Sequence, residues 1–301
     1  YQLLPAFILV DVSPWTTFGW VAAKFLSPEH LMYLHAYLPA ILFISATYIF
    51  FKKKYGILPI MLVLSALIGS SSFSYNLVTG INEPASLLFT TTSFIFLNKK
   101  QLYLSIILLS LAIWIKIVAL FFLPYYIYLL WQENLIESLI LKIRKVSKKI
   151  LVLIVLCANL PLLFWWSKNF SSYLSSNTFP MTTYRYIESL MVDYFVFSFI
   201  FIISFIILAF KKDSLLLFFI STLVFRSLFS WGGISQHYYN ITLLLPAIFI
   251  CMKATHLLVN YGNQKIGKTY TSILIILISI SFVTLNAINY QSVLLNKYFT
   301  F

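Results

Sequence analysis

The chain has 301 residues, of which 61% are hydrophobic and 10% are charged, and its formal net charge at pH 7 is +13. Soluble domains carry about 25% charged residues, so this composition excludes an ordinary soluble globule. The basic residues form short clusters between apolar runs instead of lining one face. That pattern argues against nucleic-acid binding and is typical of cytoplasmic loops in membrane proteins.

Apolar runs of about 20 residues recur along the chain, and each is long enough to cross a hydrocarbon core of about 30 Å. In lipid such runs must be helical, because no water is present to satisfy the backbone. We therefore predict an all-α, polytopic transmembrane protein with about nine or ten membrane segments. The expected organisation is one transmembrane domain over 1–301, made of an outer interfacial segment (1–30), a first helical group (31–131), a cytoplasmic basic segment (132–149) and a second helical group (150–301).

Residues 1–30 are too polar to span a bilayer, and amphipathic helices lying at the interface suit them best. Because the chain starts at Tyr1 without a preceding apolar run, we expect an N-terminally truncated fragment whose first helix lies upstream. The first spans are predicted at 31–51, 57–77 and 85–97.

The apolar stretch 102–131 carries a lysine, Lys116, at its middle. One helix of this length would be about 45 Å long, too long for a single span, whereas two full spans would need about 40 residues. We therefore predict two short helices that meet at Lys116, with both distal ends on the same side of the membrane.

Further spans are predicted at 150–167, 191–210, 214–230, 238–257 and 270–289. When 102–131 is counted as a there-and-back pair, fifteen of the 21 basic residues fall on the inner side and four on the outer side, as the positive-inside rule requires. A single pass would place the strongest basic cluster, Lys142–Lys149, outside. Asp213 lies beside two inner lysines and is expected to be an ordinary loop charge.

Four features at the predicted outer ends of the spans are candidates for chemistry. They are Asp11 in the first outer segment, Glu83 in an Asn-Glu-Pro corner, Lys116 inside an apolar run, and Arg226 followed by His237-Tyr238-Tyr239. A carboxylate can act as general base on an acceptor hydroxyl, and the cations can neutralise a phosphate leaving group. Aromatic side chains can stack on a sugar ring.

Three of these candidates also have a plain structural explanation. Asp11 would be a solvated loop residue, and Glu83 would interact with a helix N-terminus. Lys116 would extend its ammonium group to the membrane surface. No P-loop, GxGxxG, HExxH or GxSxG motif occurs, so no metal site is predicted and nucleotide or serine-hydrolase chemistry has no support.

The order of several short motifs resembles the GT-C superfamily of membrane glycosyltransferases, close to the protein-O-mannosyltransferase and aminoarabinose-transferase type. The matching pieces are Asp11-Val-Ser-Pro14-Trp15 through Gly19, Asn82-Glu83-Pro84 before an apolar span, Leu111 through Lys116 and on to Leu123-Pro124, and His237-Tyr238-Tyr239 through Leu245-Pro246. The family's catalytic acid usually follows a first helix that this chain lacks. The main acid is therefore expected either at Asp11 or upstream of Tyr1.

The resemblance implies transfer of a sugar, mannose-like, from a polyprenyl-phosphate donor to a lipid, glycan or protein acceptor on the outer or lumenal face. Asp11 and Glu83 would be catalytic, and Lys116, Arg226, His237, Tyr238 and Tyr239 would bind the donor phosphate and substrate. The membrane would be a prokaryotic plasma membrane or the endoplasmic reticulum, and dependence on a divalent cation stays open. The alternatives are a lipid-linked sugar transporter or flippase, which would carry inverted repeats, another envelope-polysaccharide membrane protein, and a non-catalytic scaffold.

Overall fold

The computed structural model describes residues 24–27, 30, 34, 37–68, 70, 83–137, 140, 195–228 and 241–298. Within these ranges the chain is almost entirely helical and forms no β-strand, in agreement with the predicted all-α class. The predicted span at 150–167 and most of the segments 1–30 and 132–149 lie outside the described residues.

The described part contains nine α-helices of ten residues or more and one 3₁₀ helix. Their bounds are α1 Leu38–Tyr55, α2 Ile57–Ile68, α3 Glu83–Asn98, α4 Leu102–Ile115, the 3₁₀ helix Ile117–Phe122, α5 Leu123–Gln132, α6 Phe195–Phe210, α7 Leu215–Leu228, α8 Ile241–Lys265 and α9 Lys268–Tyr298.

Tight turns join four pairs of consecutive helices. Each turn holds one residue with positive φ: Gly56 (84°), Lys100 (58°), Lys212 (51°) and Gly267 (88°). A left-handed residue just after a helix lets the chain reverse and satisfies the last carbonyl groups. At Gly56, for example, the backbone N–H donates to the Lys52 carbonyl at 3.1 Å.

A cluster of aromatic side chains shows which helix ends lie at the same end of the bundle. The rings of Phe51 in α1, Phe94 in α3 and Phe218 in α7 lie 4.8, 5.9 and 5.6 Å, respectively, from the ring of Phe249 in α8. Phe51 and Phe94 lie about one turn before their helices end, and Phe218 lies in the first turn of α7. The lysine clusters in the last turn of α1 and directly after α3 and α6 therefore share one end of the bundle, as the sequence predicts. We call it the basic end.

Helix α8 is the centre of the bundle, since it contacts α1, α2, α3, α6, α7 and α9. Its residues from Leu243 to Met252 are all buried. Helix α9 packs against α2 and α8, whereas its other side presents large apolar side chains that no described residue covers. The segments Leu243–Lys265 and Lys268–Ile288 are each long and apolar enough to cross a membrane.

Helix α2 is described as far as Ile68, and apart from Ser70 the rest of the predicted span at 57–77 lies outside the described residues. Helices α8 and α9 both run beyond their predicted spans. Helix α8 continues to Lys265 instead of stopping near 257, and α9 restarts after the short turn at Gly267. The α8–α9 hairpin consequently projects beyond the basic end.

Candidate functional site

Helix α4 ends at Ile115, and Lys116 follows it in the middle of the long apolar stretch. Lys116 has extended backbone angles, with φ −149° and ψ 121°. Its N–H donates to the Ala112 carbonyl at 2.9 Å, and its own carbonyl accepts from the Ala119 N–H at 3.1 Å. The β-branched residues around it, Ile113, Ile115, Ile117 and Val118, weaken helix propensity at this point. The predicted break at Lys116 is confirmed.

After the break the chain turns back towards the basic end. Tyr126 in α5 places its hydroxyl 2.6 Å from the Oγ atom of Ser105 in the first turn of α4. Ser105 also bonds across to α3, where its hydroxyl donates to the Ser93 carbonyl at 2.8 Å. Helices α4 and α5 therefore form a there-and-back pair, as predicted from the length of the stretch.

The Lys116 side chain is 8% exposed and lies among the buried residues of the bundle. Neighbouring Ile115 and Ala119 are also buried. Burying the ammonium group of a lysine inside an apolar bundle is costly, and this makes Lys116 the central residue of the candidate site.

The first turn of α3 lies next to the end of α4. The Ser86 hydroxyl donates to the Ala112 carbonyl at 3.2 Å, and this same carbonyl accepts the Lys116 N–H. Glu83 is the first residue of α3, one turn before Ser86. Its backbone therefore lies at the same end of the bundle as Lys116, while its side chain is outside the described part.

Arg226 belongs to the last turn of α7. Near the start of α7, Phe218 stacks on Tyr125 with ring centroids 4.2 Å apart, and α7 packs along both α5 and the 3₁₀ helix. The backbone of Arg226 therefore lies towards the end that holds Lys116. Its side chain is outside the described part, as are all atoms of Asp11, His237, Tyr238 and Tyr239.

The structure adds a polar cluster at the basic end. Asp213 forms an ion pair with Lys253 of α8, and its Oδ1 accepts the Leu215 N–H at 3.0 Å at the start of α7. The expectation that Asp213 is an ordinary loop charge is therefore wrong. The signal in the sequence was Lys253, a lysine directly after the buried run that ends at Met252.

Helix α1 contributes Lys54 and Tyr55 to this cluster. The Tyr55 carbonyl accepts from His256 Nδ1 at 2.9 Å, and Asn260 donates to His256 Nε2 at 3.0 Å. Burial lowers the pKa of Lys54, and the charge of Lys253 lowers it further. Burial also raises the pKa of Tyr55 to about 12, with a smaller contribution from Asp213.

Among the described residues, no group of three or more His, Cys, Asp or Glu side chains is placed to hold a metal ion. Comparisons of the chain with protein-family models, curated proteins and solved structures find no match.

Proposed function

We propose that the chain is a polytopic integral membrane glycosyltransferase of the GT-C type. It transfers a sugar from a polyprenyl-phosphate donor to an acceptor at the membrane face opposite the basic end. The observation that carries this proposal is the buried Lys116, located at a helix break beside the start of α3.

Membrane insertion is supported by the surface of the helices. Along α9 the exposed side chains include Ile273, Leu277 and Ile280, and along α6 they include Phe199 and Ile203. Soluble monomers rarely expose contiguous apolar patches larger than a few hundred Å². Lipid chains are the solvent that such helix faces require.

The position of Lys116 supports phosphate binding. Helix α4 has 14 residues and spans about 21 Å, so it ends within the membrane or just at its far surface. A lipid phosphate that approaches along the bilayer can reach an ammonium group at this depth. Their attraction is strong where water is scarce.

Each charged residue has one role in the proposed reaction. The acceptor hydroxyl oxygen forms a bond to the anomeric carbon of the donor sugar, while the bond from that carbon to the phosphate oxygen breaks. A carboxylate, that of Glu83 or Asp11, takes the acceptor proton. The polyprenyl phosphate leaves with its electron pair and gains negative charge, which Lys116 and Arg226 stabilise.

The test is transfer of radiolabelled sugar from a defined lipid donor, with the protein reconstituted in liposomes. Lys116→Met removes the charge and keeps most of the volume, so we expect transfer to fall by about 100-fold or more. Lys116→Arg keeps the charge but changes its geometry, so it should retain donor binding at a reduced rate.

Lys100→Met is the matched control, because it removes an exposed lysine at the basic end and should transfer at the wild-type rate. Wild-type transfer by Lys116→Met would reject the phosphate role. Movement of the lipid donor across the bilayer without product formation would favour the transporter alternative.

A further inference from the structure

Six lysines lie together at the basic end, in the last turn of α1, in the α6–α7 turn and in the middle of α8, and we call them the basic rim. Lys253 is paired with Asp213, and the charges of both residues affect the pKa of Lys54. The other members adjoin these groups directly in sequence: they are Lys52 and Lys53 in the last turn of α1, and Lys211 and Lys212 beside Asp213.

The basic rim carries more positive charge than its acidic neighbours neutralise. Two carboxylates, those of Asp213 and Glu133, interact electrostatically with Lys54 of the basic rim. Asp213 is already engaged by Lys253 and by the first turn of α7. The repulsion between Lys54 and Lys253 is part of what lowers the Lys54 pKa, so an anion at this surface would relieve unfavourable electrostatics.

Exposed apolar side chains lead directly into the basic rim along two helices. In α6, Phe210 is 87% exposed and immediately precedes Lys211. In α1, Ile49 is 65% exposed, and one turn later Lys52 places its Nζ 5.2 Å from the centroid of the Tyr48 ring. An apolar band that ends in lysine and tyrosine matches the boundary between acyl chains and headgroups.

We propose that the basic rim binds the headgroups of anionic phospholipids. A soluble anion would use the lysines alone, whereas an anionic phospholipid uses the lysines and the adjoining apolar band together. The proposal rests on the membrane insertion contained in the proposed function, and it is independent of sugar transfer.

The experiment places the chain in nanodiscs that contain phosphatidylcholine and phosphatidylglycerol. Native mass spectrometry then measures which lipids stay bound after transfer to detergent. We expect the wild type to retain phosphatidylglycerol preferentially. Lys53→Gln/Lys212→Gln leaves the Asp213–Lys253 pair in place and should weaken retention by about five-fold for each lysine removed. Raising the salt concentration should weaken it in the wild type, because these charges are exposed.

The control is Lys24→Gln/Lys297→Gln, which removes the same charge from the predicted opposite face and should retain phosphatidylglycerol like the wild type. Equal loss in the two double variants, or equal retention of the two lipids by the wild type, would overturn the proposal. Displacement of phosphatidylglycerol by soluble glycerol phosphate would also overturn it, since the site would then be one for soluble anions. Absence of the protein from the nanodisc fraction would reject membrane insertion as well, whereas failed sugar transfer would leave the headgroup site intact.

Discussion

The hydroxyl of Tyr126 lies 2.6 Å from Ser105 Oγ, and this contact ties α5 to the first turn of α4. Ser105 has one hydroxyl hydrogen, which it donates to the Ser93 carbonyl, so Tyr126 is the donor to Ser105. The Ser93 hydroxyl in turn donates to the Ser105 carbonyl at 2.7 Å. Three helices are thus joined through one buried serine.

Tyr126→Phe should lower the free energy of unfolding by about 1 kcal/mol, because one buried hydrogen bond is lost. The measurement is unfolding in mixed detergent micelles. Ser105→Ala should cost at least as much, and the double variant should cost less than the sum of the two. Tyr125→Phe is the control, because the Tyr125 hydroxyl makes no hydrogen bond to the described residues. Additive costs for Tyr126 and Ser105 would contradict the proposed coupling.

The arrangement of the turns predicts a labelling pattern. Single cysteines at Lys100 and Lys212 should both resist a membrane-impermeant reagent in intact cells and react after permeabilisation, because both turns belong to the basic end. Cys157→Ser/Cys251→Ala provides the background, and a cysteine at Gly80, in a predicted outer loop, is the accessible control. If Lys100→Cys and Lys212→Cys reacted from opposite sides, the assignment of both turns to the basic end would be wrong.

Asn286 of α9 forms a hydrogen bond with the last turn of α2, which packs against α9. It is 1% exposed and donates to the Ala66 carbonyl at 2.8 Å, which is one of the last carbonyl groups of α2. Asn286→Ala should cost about 1–3 kcal/mol of unfolding free energy, because a buried carbonyl loses its partner. Thr284→Ala, two residues away on the exposed side of α9, should change the unfolding free energy by less than about 0.5 kcal/mol. Equal effects of the two substitutions would show that the Asn286 bond does not stabilise α2.

The helices and the break at Lys116 could be predicted because they depend on local sequence. The signals were the length of each apolar run, a lysine among β-branched residues and the positions of the basic turns. Each signal lies within a few residues of the feature that it predicts. The contacts of Asn286 with Ala66 and of Lys253 with Asp213 could not, because they join distant parts of the chain. No periodicity encodes which carbonyl a buried asparagine will meet.

The same difference between local features and long-range contacts applies to the candidate site. The sequence singled out Lys116 by the cost of its charge in an apolar run. Lys116 lies beside the start of α3 because Ser86 bonds to Ala112. This tertiary contact forms only when the helices pack. The order of residues along the chain gives no distance between two helix ends.

Alkaline pH should destabilise the protein through Tyr55, the final residue of α1 at the basic end. Burial raises the pKa of Tyr55 from 10.0 to about 12, so the folded state favours the neutral phenol. The resulting stabilisation is fully present below pH 10.0, falls as the unfolded chain ionises, and is lost as pH passes about 12.

Tyr55→Phe cannot ionise, so the difference in unfolding free energy between wild type and variant should change by roughly 2–3 kcal/mol across this window. Taking the difference removes the contributions of the other titrating groups, including Lys54. Tyr261→Phe, at an exposed position in α8, is the control for loss of a tyrosine hydroxyl at the surface. If the difference between the wild type and Tyr55→Phe stayed constant from neutral pH to beyond pH 12, the Tyr55 hydroxyl would have to titrate in the folded protein as it does in the unfolded chain, which is incompatible with its burial against α8.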